Sequence, residues 1–391
     1  MKHGILLLGL GLMTSVSLAT EIPKSVQVHG FAALNPLVTT GNNLFGQSKD
    51  ELSLDFWELG VNGSWRPQQD FLISAQLTSR KAGENDDGKV RLDYGLIDYS
   101  PISTPTLKVG VRGGRVLNPL GFFNETRDVA FTRSSILLPQ SIYFDRTRDF
   151  SLASDAIQFY SDIRSDIGDF YFQANIGYPR TGAVGVEQAL LGRDFPGRLD
   201  SNLSFLGRLL YERDGGRWRL GMSGGHVGVS YDPDGLSDPL PSGEILFKPL
   251  IFSIQYNAEH FSLTSEFGPR AFNTKGFGRA RSQTVGESMY VEGLYRFTPR
   301  WEGFLRYDVL FSDRDDRDGK QYQATTGLPS YFRYAKDLTA GVTWRFKQWG
   351  LARLEYHYVN GIAWLPLEDN PNPSDISRYW SIFGLQFAVR F

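Results

Sequence analysis

The sequence predicts an all-β fold: a transmembrane, antiparallel, up-and-down β-barrel of about sixteen strands, with its long third loop folded into the lumen. Three observations carry this reading. Segments of about ten residues alternate apolar and polar side chains along most of the chain, and that is the length of a tilted strand crossing a bilayer. The connections between these segments alternate between short and long. No stretch approaches eighteen uninterrupted apolar residues, so helical spans are excluded. Composition agrees, since 28 Phe, 18 Tyr, 8 Trp and 42 Gly favour strands and tight turns over helices.

The first element is a leader. "MKHGILLLGLGLMTSVSLA" has a basic start (Lys2, His3), an apolar stretch from Ile5 to Met13, and a small-x-small end at Ser17-Leu18-Ala19. This is the pattern of a secretory signal peptide, and its apolar core is too short to span a membrane. Residues 1–19 are therefore expected to be removed, leaving 20–391 as the barrel. The chain has no cysteine, which excludes disulfides, thiolate metal sites and a cysteine nucleophile. A formal charge of -2 gives no field that would favour nucleic acid. No metal or other cofactor is called for.

The strands follow in order, near 25–35, 52–65, 70–80, 89–100, 106–116, 150–161, 168–178, 202–213, 217–229, 245–257, 260–267, 287–298, 301–312, 335–347, 350–359 and 379–391. In "FLISAQLTSR", Phe71, Ile73, Ala75 and Leu77 share one face, while Ser74, Gln76, Thr78 and Arg80 share the other. "WEGFLRYDVLF" and "DLTAGVTWRF" repeat the pattern. A soluble sandwich also alternates, but it has no reason to sort its connections. Here "RPQQ", "DGG", "NAEH", "TPR" and "KQW" are tight, whereas 117–149, 179–201, 230–244, 268–286, 313–334 and 360–378 are long. Tight turns at one end and long loops at the other characterise outer-membrane barrels. Trp65, Phe71, Trp218, Phe261, Trp301 and Trp349 all stand beside short turns, where an interfacial aromatic girdle belongs. In hydrocarbon every backbone group needs a protein partner, so the sheet must close on itself. The closing strand, "SIFGLQFAVRF", is expected to pair with the first, around Val26 to Leu34.

Sixteen strands leave room for an aqueous lumen. The connection 117–149 is too rich in Phe, Leu and Ile for a disordered surface loop. It is read as an inward constriction carrying Glu125, Arg127, Asp128, Arg133, Asp145, Arg146, Arg148 and Asp149. On the inferred lumen face stand Arg80, Arg91, Lys108, Arg112, Arg208, Arg219, Arg296, Arg306, Arg345 and Arg353. Facing them are Glu58, Asp93, Glu212, Glu266, Glu292, Glu302, Asp308 and Glu355. Most of these charges are expected to pair across strands while keeping the lumen wet.

The stretch Val111–Tyr160 resembles the phosphate-selective porin family of Gram-negative outer membranes. The likeness rests on Arg112/Gly114/Arg115, Pro119/Gly121 and Tyr143–Arg146, and covers about fifty residues closely. It implies a homotrimeric, sixteen-stranded outer-membrane porin whose third loop forms the constriction. The terminal pattern of Phe383, Leu385, Phe387, Val389 and Phe391 likewise resembles the signature by which the outer-membrane assembly machinery takes up barrels. Such a member would show a lysine cluster, and this chain has one lysine, Lys108, on the inferred lumen face. The expected activity is therefore passive diffusion of small hydrophilic solutes, anions among the candidates, through a protein seated in lipid. Two other classes are weighed: an outer-membrane hydrolase, with His226 and Ser230 as its nearest catalytic pair, and a structural or adhesive surface barrel. No hydrolase motif accompanies that pair, so a non-enzymatic channel is the reading adopted.

Overall fold

The computed structural model describes residues 25–391; the expected signal peptide, 1–19, lies outside the described residues. The chain forms β1 (Val26–Leu34), β2 (Leu37–Thr39), β3 (Phe56–Gln68), β4 (Phe71–Ala82), β5 (Asp87–Ser103) and β6 (Leu107–Leu117). After a long connection come β7 (Ala153–Ser165), β8 (Gly168–Pro179), β9 (Arg198–Ser201), β10 (Ser204–Arg213), β11 (Trp218–Asp232) and β12 (Gly243–Asn257). The last six are β13 (Phe261–Gly276), β14 (Arg279–Thr298), β15 (Trp301–Phe311), β16 (Tyr334–Lys347), β17 (Gly350–Gly361) and β18 (Tyr379–Arg390).

All pairings between these strands are antiparallel, and β1 joins β18 through Phe31↔Arg390 to Leu34↔Phe387, closing the ring. Sixteen strands make the wall. The two short ones are extensions: β2 continues β1 past Pro36 to pair with β18, and β9 precedes β10 and pairs with β11. Proline has no N–H for the ladder, so the strand breaks at that point. A closed ring leaves no unpaired edge.

One face of the wall is apolar and exposed, the reverse of a water-soluble protein. Leu59, Val61, Ile73, Leu77, Ile157, Phe172, Met222, Ile254, Leu305 and Leu354 all point outward. The alternate positions are polar and buried, among them Glu58, Thr78, Gln158, Asn175, Glu266, Glu292, Arg306, Thr339 and Glu355. Such an outer face is stable against hydrocarbon, where a basic group at mid-depth would cost roughly 2–4 kcal/mol. Among the described residues no helix is long and apolar enough to cross a membrane; the strands make the crossing. At the short-turn end, rings meet in pairs: Phe71 with Tyr99 at 4.7 Å, Trp218 with Tyr256 at 4.6 Å, and Trp301 with Trp344 at 5.7 Å.

Three local features depart from the sequence expectation. The stretch 268–286, expected as a loop, continues β13 and β14 as a ladder up to a two-residue turn, Phe277-Gly278. Both turn residues have positive φ, 56° and 64°, as the tight hairpin turn that matches strand twist requires. The expected strand start at 150 is a short helix, Arg148–Leu152, before β7. Helices also form in the long connections, at Val184–Leu191 and Lys320–Thr326.

The long-connection end is partly filled. Leu37, Leu44, Phe45, Trp364, Leu365 and Trp380 pack with Ile136 and Leu137 in one apolar cluster. The connections 35–55 and 362–378 thereby meet the segment that leaves β6.

Candidate functional site

The connection between β6 and β7 hydrogen-bonds to the polar face of strands all round the ring. It begins with a turn at Pro119-Leu120-Gly121. Gly121 has φ of +58°, its N–H donates to Ser223 Oγ at 2.8 Å, and a Cβ here would lie 2.2 Å from the Tyr143 hydroxyl. Only glycine permits both the left-handed backbone and that close approach. The next amide, Phe122 N–H, donates to Glu266 Oε1 at 2.9 Å, and Tyr143 and Tyr290 donate their hydroxyls to Glu266 Oε2 at 2.6 and 2.9 Å.

The middle of the segment lies against β14, β15 and β17. Arg353 donates to the carbonyl oxygens of Arg133, Ser135 and Ala130, at 2.9, 3.2 and 3.4 Å. Arg306 donates to Leu137 O and Ser135 Oγ, both at 2.9 Å. Glu355 accepts the N–H groups of Ile136 and Leu137 at 2.6 and 3.2 Å, and also meets His357 Nε2 at 2.6 Å. Buried polar groups are costly unless partnered, and here the wall supplies partners to a chain with no sheet of its own.

The return limb is held by ion pairs. Ser141 N–H donates to Asp308, and Arg80 grips Asp145 through both carboxylate oxygens at 2.7 and 2.9 Å. Arg148 bridges Asp128 at 2.6 Å and Asp93 at 3.3 Å. Burial pushes the Asp145 carboxyl up, but the Arg80 and Arg127 charges outweigh it and leave it below its ordinary value. Asp128 behaves the same way, with burial opposed by Arg148. Burial pulls Arg127 down to about 10, against the attraction of Asp145.

The residues singled out from sequence are distributed as follows. Arg127, Asp128, Arg133 and Arg148 are buried. Arg127 donates to the carbonyls of Tyr143 and Phe144, and Arg133 to Glu58 at 2.8 Å. Asp145 is held by Arg80, and Glu125 by Arg208, which also donates to Gln173 Oε1 at 2.6 Å. Arg146 stands apart, forming no ion pair within 4 Å of a described residue. Of the wall residues, Arg112 pairs with Asp98 at 3.0 Å, Arg219 with Glu212 at 2.6 Å, Arg306 with Glu292 at 3.3 Å, and Arg345 with Glu302 at 2.7 Å. Arg296 donates to Ser262 Oγ, and Lys108 lies 5.3 Å from the Tyr160 ring. Phe383, Leu385, Phe387, Val389 and Phe391 are exposed on the outer face, and the Phe391 backbone exchanges hydrogen bonds with Gly30.

The hydrolase pair is not assembled. Ser230 Oγ accepts from Asn202 Nδ2 at 2.7 Å, and His226 is an exposed side chain of β11 with no hydrogen bond to another described side chain. Among the described residues no group of His, Asp and Glu side chains is arranged to hold a metal ion. Two inward-facing residues have no signal in the expected pattern: Arg270, in the stretch expected as a loop, and His357, which stands between Asp337 and Glu355. Arg270 sits on the inward face of β13, the face that also carries Glu266, and that face is recognisable once the strand is extended through 276.

No family model and no curated protein matches the chain. Its backbone is similar to several solved barrels. The outer-membrane channel DcaP of Acinetobacter baumannii matches with TM-score 0.60 at 12% identity, over 94% of this chain and 97% of that one. An anion-selective porin from Comamonas acidovorans gives 0.56 at 12%, over 94% and 98%. A trimer form of OmpT, an outer-membrane protein of Vibrio cholerae, gives 0.56 at 12%, over 94% and 100%. Structural likeness at such low identity shows the fold alone. The chain has the architecture of a closed, sixteen-stranded antiparallel β-barrel, as these outer-membrane proteins do.

Proposed function

We propose that the protein is an outer-membrane porin, exported with the leader 1–19 and inserted as a homotrimer by the outer-membrane assembly machinery. It lets small hydrophilic solutes diffuse across the membrane, and anions are the favoured class. The segment 117–149 lies across the lumen as its constriction. The observation that carries this reading is that the segment's partners (Glu58, Arg80, Arg208, Glu266, Asp308 and Glu355) stand on the polar face of six different strands of a closed ring. A chain reaching all of them from an outer surface would have to cross the apolar belt. The resemblance of Val111–Tyr160 to phosphate-selective porins supports the same class, as do the channel and porin among the similar folds.

Lys108, Arg112, Arg208 and Arg219 are half-buried on β6, β10 and β11, and Arg208 pairs with Glu125 on the segment. A narrow passage bounded by such groups orients polar solutes and screens them poorly, because the Debye length of ~8 Å at physiological salt is comparable to a pore radius. The test is single-channel recording of purified protein in planar bilayers, with reversal potentials in a salt gradient. Discrete conductance steps that favour chloride over potassium are expected. A correctly inserted barrel without steps would instead favour the structural or adhesive reading.

A further inference from the structure

Several charges on the outer face of the ring have partners there. Arg115 pairs with Asp155 at 2.8 Å, Lys275 with Glu244 at 2.8 Å, and Arg317 with Glu287. Lys248 on β12 is different. It is exposed, and no carboxylate of a described residue lies within 4 Å of it. The register that runs from Gly224↔Leu250 to Val227↔Phe247 sets His226 of β11 directly across from it. His226 is exposed as well, and on its other side it meets Phe205, which points outward. A basic side chain gains nothing from a basic neighbour across the ladder, and like charges in that position are destabilising.

The depth of this pair follows from the same strands. His226 is eight residues from the girdle ring Trp218, and Lys248 is eight from Tyr256. At about 3.3 Å per residue on a strand tilted by ~45°, the pair stands about 19 Å up a belt roughly 25 Å tall. On the girdle side the outward neighbours are Met222, Leu250 and Phe252; towards the long connections come Leu203 and Leu246. The pair is therefore still inside the apolar belt, with its outer edge within reach of a lysine stem. Beyond it on β11, Asn202 donates its amide to Ser230 Oγ at 2.7 Å, and the Ser230 hydroxyl hydrogen meets no described acceptor. A cation facing hydrocarbon is destabilising, less so towards the interface. It is retained where an anion belonging to the membrane comes down to meet it.

We propose that Lys248 and His226, with Ser230 and Asn202 above them, bind the phosphate of an anionic lipid in the leaflet at the long-connection end, its acyl chains lying over Phe205, Leu250 and Phe252. The ammonium supplies a point charge, and the imidazole N–H and the hydroxyl supply directed donors; such bonds to a charged acceptor are the strong ones. Free phosphate would gain nothing from the apolar residues on either side, whereas a lipid buries its chains against them as it places its headgroup. Outward-facing acids of a second copy, Asp155, Glu244 and Glu287, are already tied to Arg115, Lys275 and Arg317, so the lipid is the occupant. The His226–Ser230 spacing that suggests a hydrolase thus serves recognition. The site does not rest on the channel reading.

Native mass spectrometry of the detergent-solubilised full-length protein measures this directly. The probes are diphosphoryl lipid A, the same acylated disaccharide with both phosphates removed, and inorganic phosphate as competitor. Wild type should bind diphosphoryl lipid A roughly tenfold or more tightly than the dephosphorylated form, and inorganic phosphate in large excess should not displace it. Lys248→Gln should weaken binding about tenfold and His226→Ala about threefold, each keeping the heat-modifiable migration of a folded barrel. Arg115→Gln, at an outer-face cation that already has its partner, should leave binding unchanged. Equal affinity for the two lipids would overturn the phosphate site in the wild-type protein alone, whatever the variants do. Displacement by inorganic phosphate would overturn the lipid as ligand. Wild-type binding by Lys248→Gln, or an equal loss in Arg115→Gln, would overturn the assignment to this pair. Loss of the oligomer in Lys248→Gln with lipid binding intact would make the face a subunit contact instead.

Discussion

Replacing Arg353 by Met keeps most of the aliphatic volume and deletes five donated hydrogen bonds: three to the carbonyls of Ala130, Arg133 and Ser135, one to Thr343 Oγ1 and one to Gln386 Oε1. Hydrogen bonds from a charged donor contribute roughly 1.5–3 kcal/mol each, and a buried acceptor left bare costs about 1–3 kcal/mol. These values do not add within one network, and water entering from the lumen would recover part of the loss. The attachment of 130–135 should weaken by about 3–5 kcal/mol. The ladder pairing of Arg353 with Thr343 and Gln386 runs through the backbone and is untouched, so closure of the ring should survive. The variant should reach the membrane and keep the heat-modifiable migration of a folded barrel. In planar bilayers its unitary conductance should rise, and the open-channel current should become noisy as the freed stretch moves. An inserted Arg353→Met channel with wild-type conductance and a quiet current would refute the idea that this arginine holds the constriction.

Gly121→Ala places a methyl 2.2 Å from the Tyr143 hydroxyl on a left-handed backbone; it should cost about 1–3 kcal/mol of local stability, read as faster amide exchange at Phe122 and Phe123. Phe391→Ala removes the ring that occupies the outward space over Gly30, and folded protein in outer-membrane fractions should fall sharply; unchanged levels would mean that the closing strand tolerates its loss. The carboxyls of Asp128, Asp145 and Asp149 are held below their ordinary 3.8, after the Arg148 and Arg80 charges overcome burial. A depressed carboxyl stabilises the fold above its unfolded value and gives that up as pH falls through its folded value, so the attachment of the segment should weaken, and the current become noisy, below about pH 4; a current still quiet at about pH 2 would contradict these ion pairs. Asp369 has the opposite sign, because burial raises it to about 6. Its ionisation is a cost above that value, and Asp369→Asn should stabilise the connections by on the order of 1–3 kcal/mol at pH 7 with no gain at pH 4, measured by resistance to proteolysis. A tag at Phe277–Gly278 should be reachable on intact cells, whereas one at Gly215 should not.

The alternation that made the sixteen strands legible exists because lipid touches one face and polar groups the other. Where β13 and β14 run on through "RAFNTKGFGRARSQTVGES", the alternation fades, and a ladder of Gly, Ser, Thr and Arg reads as a loop. The side of the ring on which each charged residue stands was equally legible, since Arg80, Glu58 and Arg353 follow from period two. Their partners were not. Arg133 finds Glu58 75 positions earlier in the chain, and Ile136 finds Glu355 219 positions later. Charges on 117–149 that look solvated in one dimension are therefore consumed as ties, and the unpaired Arg270 becomes visible only after those ties are drawn.

The ties have a common form. Arg353, Arg306 and Arg208 reach carbonyl oxygens, while Glu355, Glu266 and Asp308 receive amide hydrogens. Alongside the ion pairs to its charged side chains, the wall thus grips the segment by its main chain, which every amino acid other than proline presents alike. An exposed side chain such as Thr126, whose hydroxyl meets only the Phe123 carbonyl of the segment itself, can be exchanged without breaking a tie to the wall. One barrel could then be refitted for a different solute by point substitutions along the segment, each tested by selection separately from folding, while the six gripping residues stay fixed.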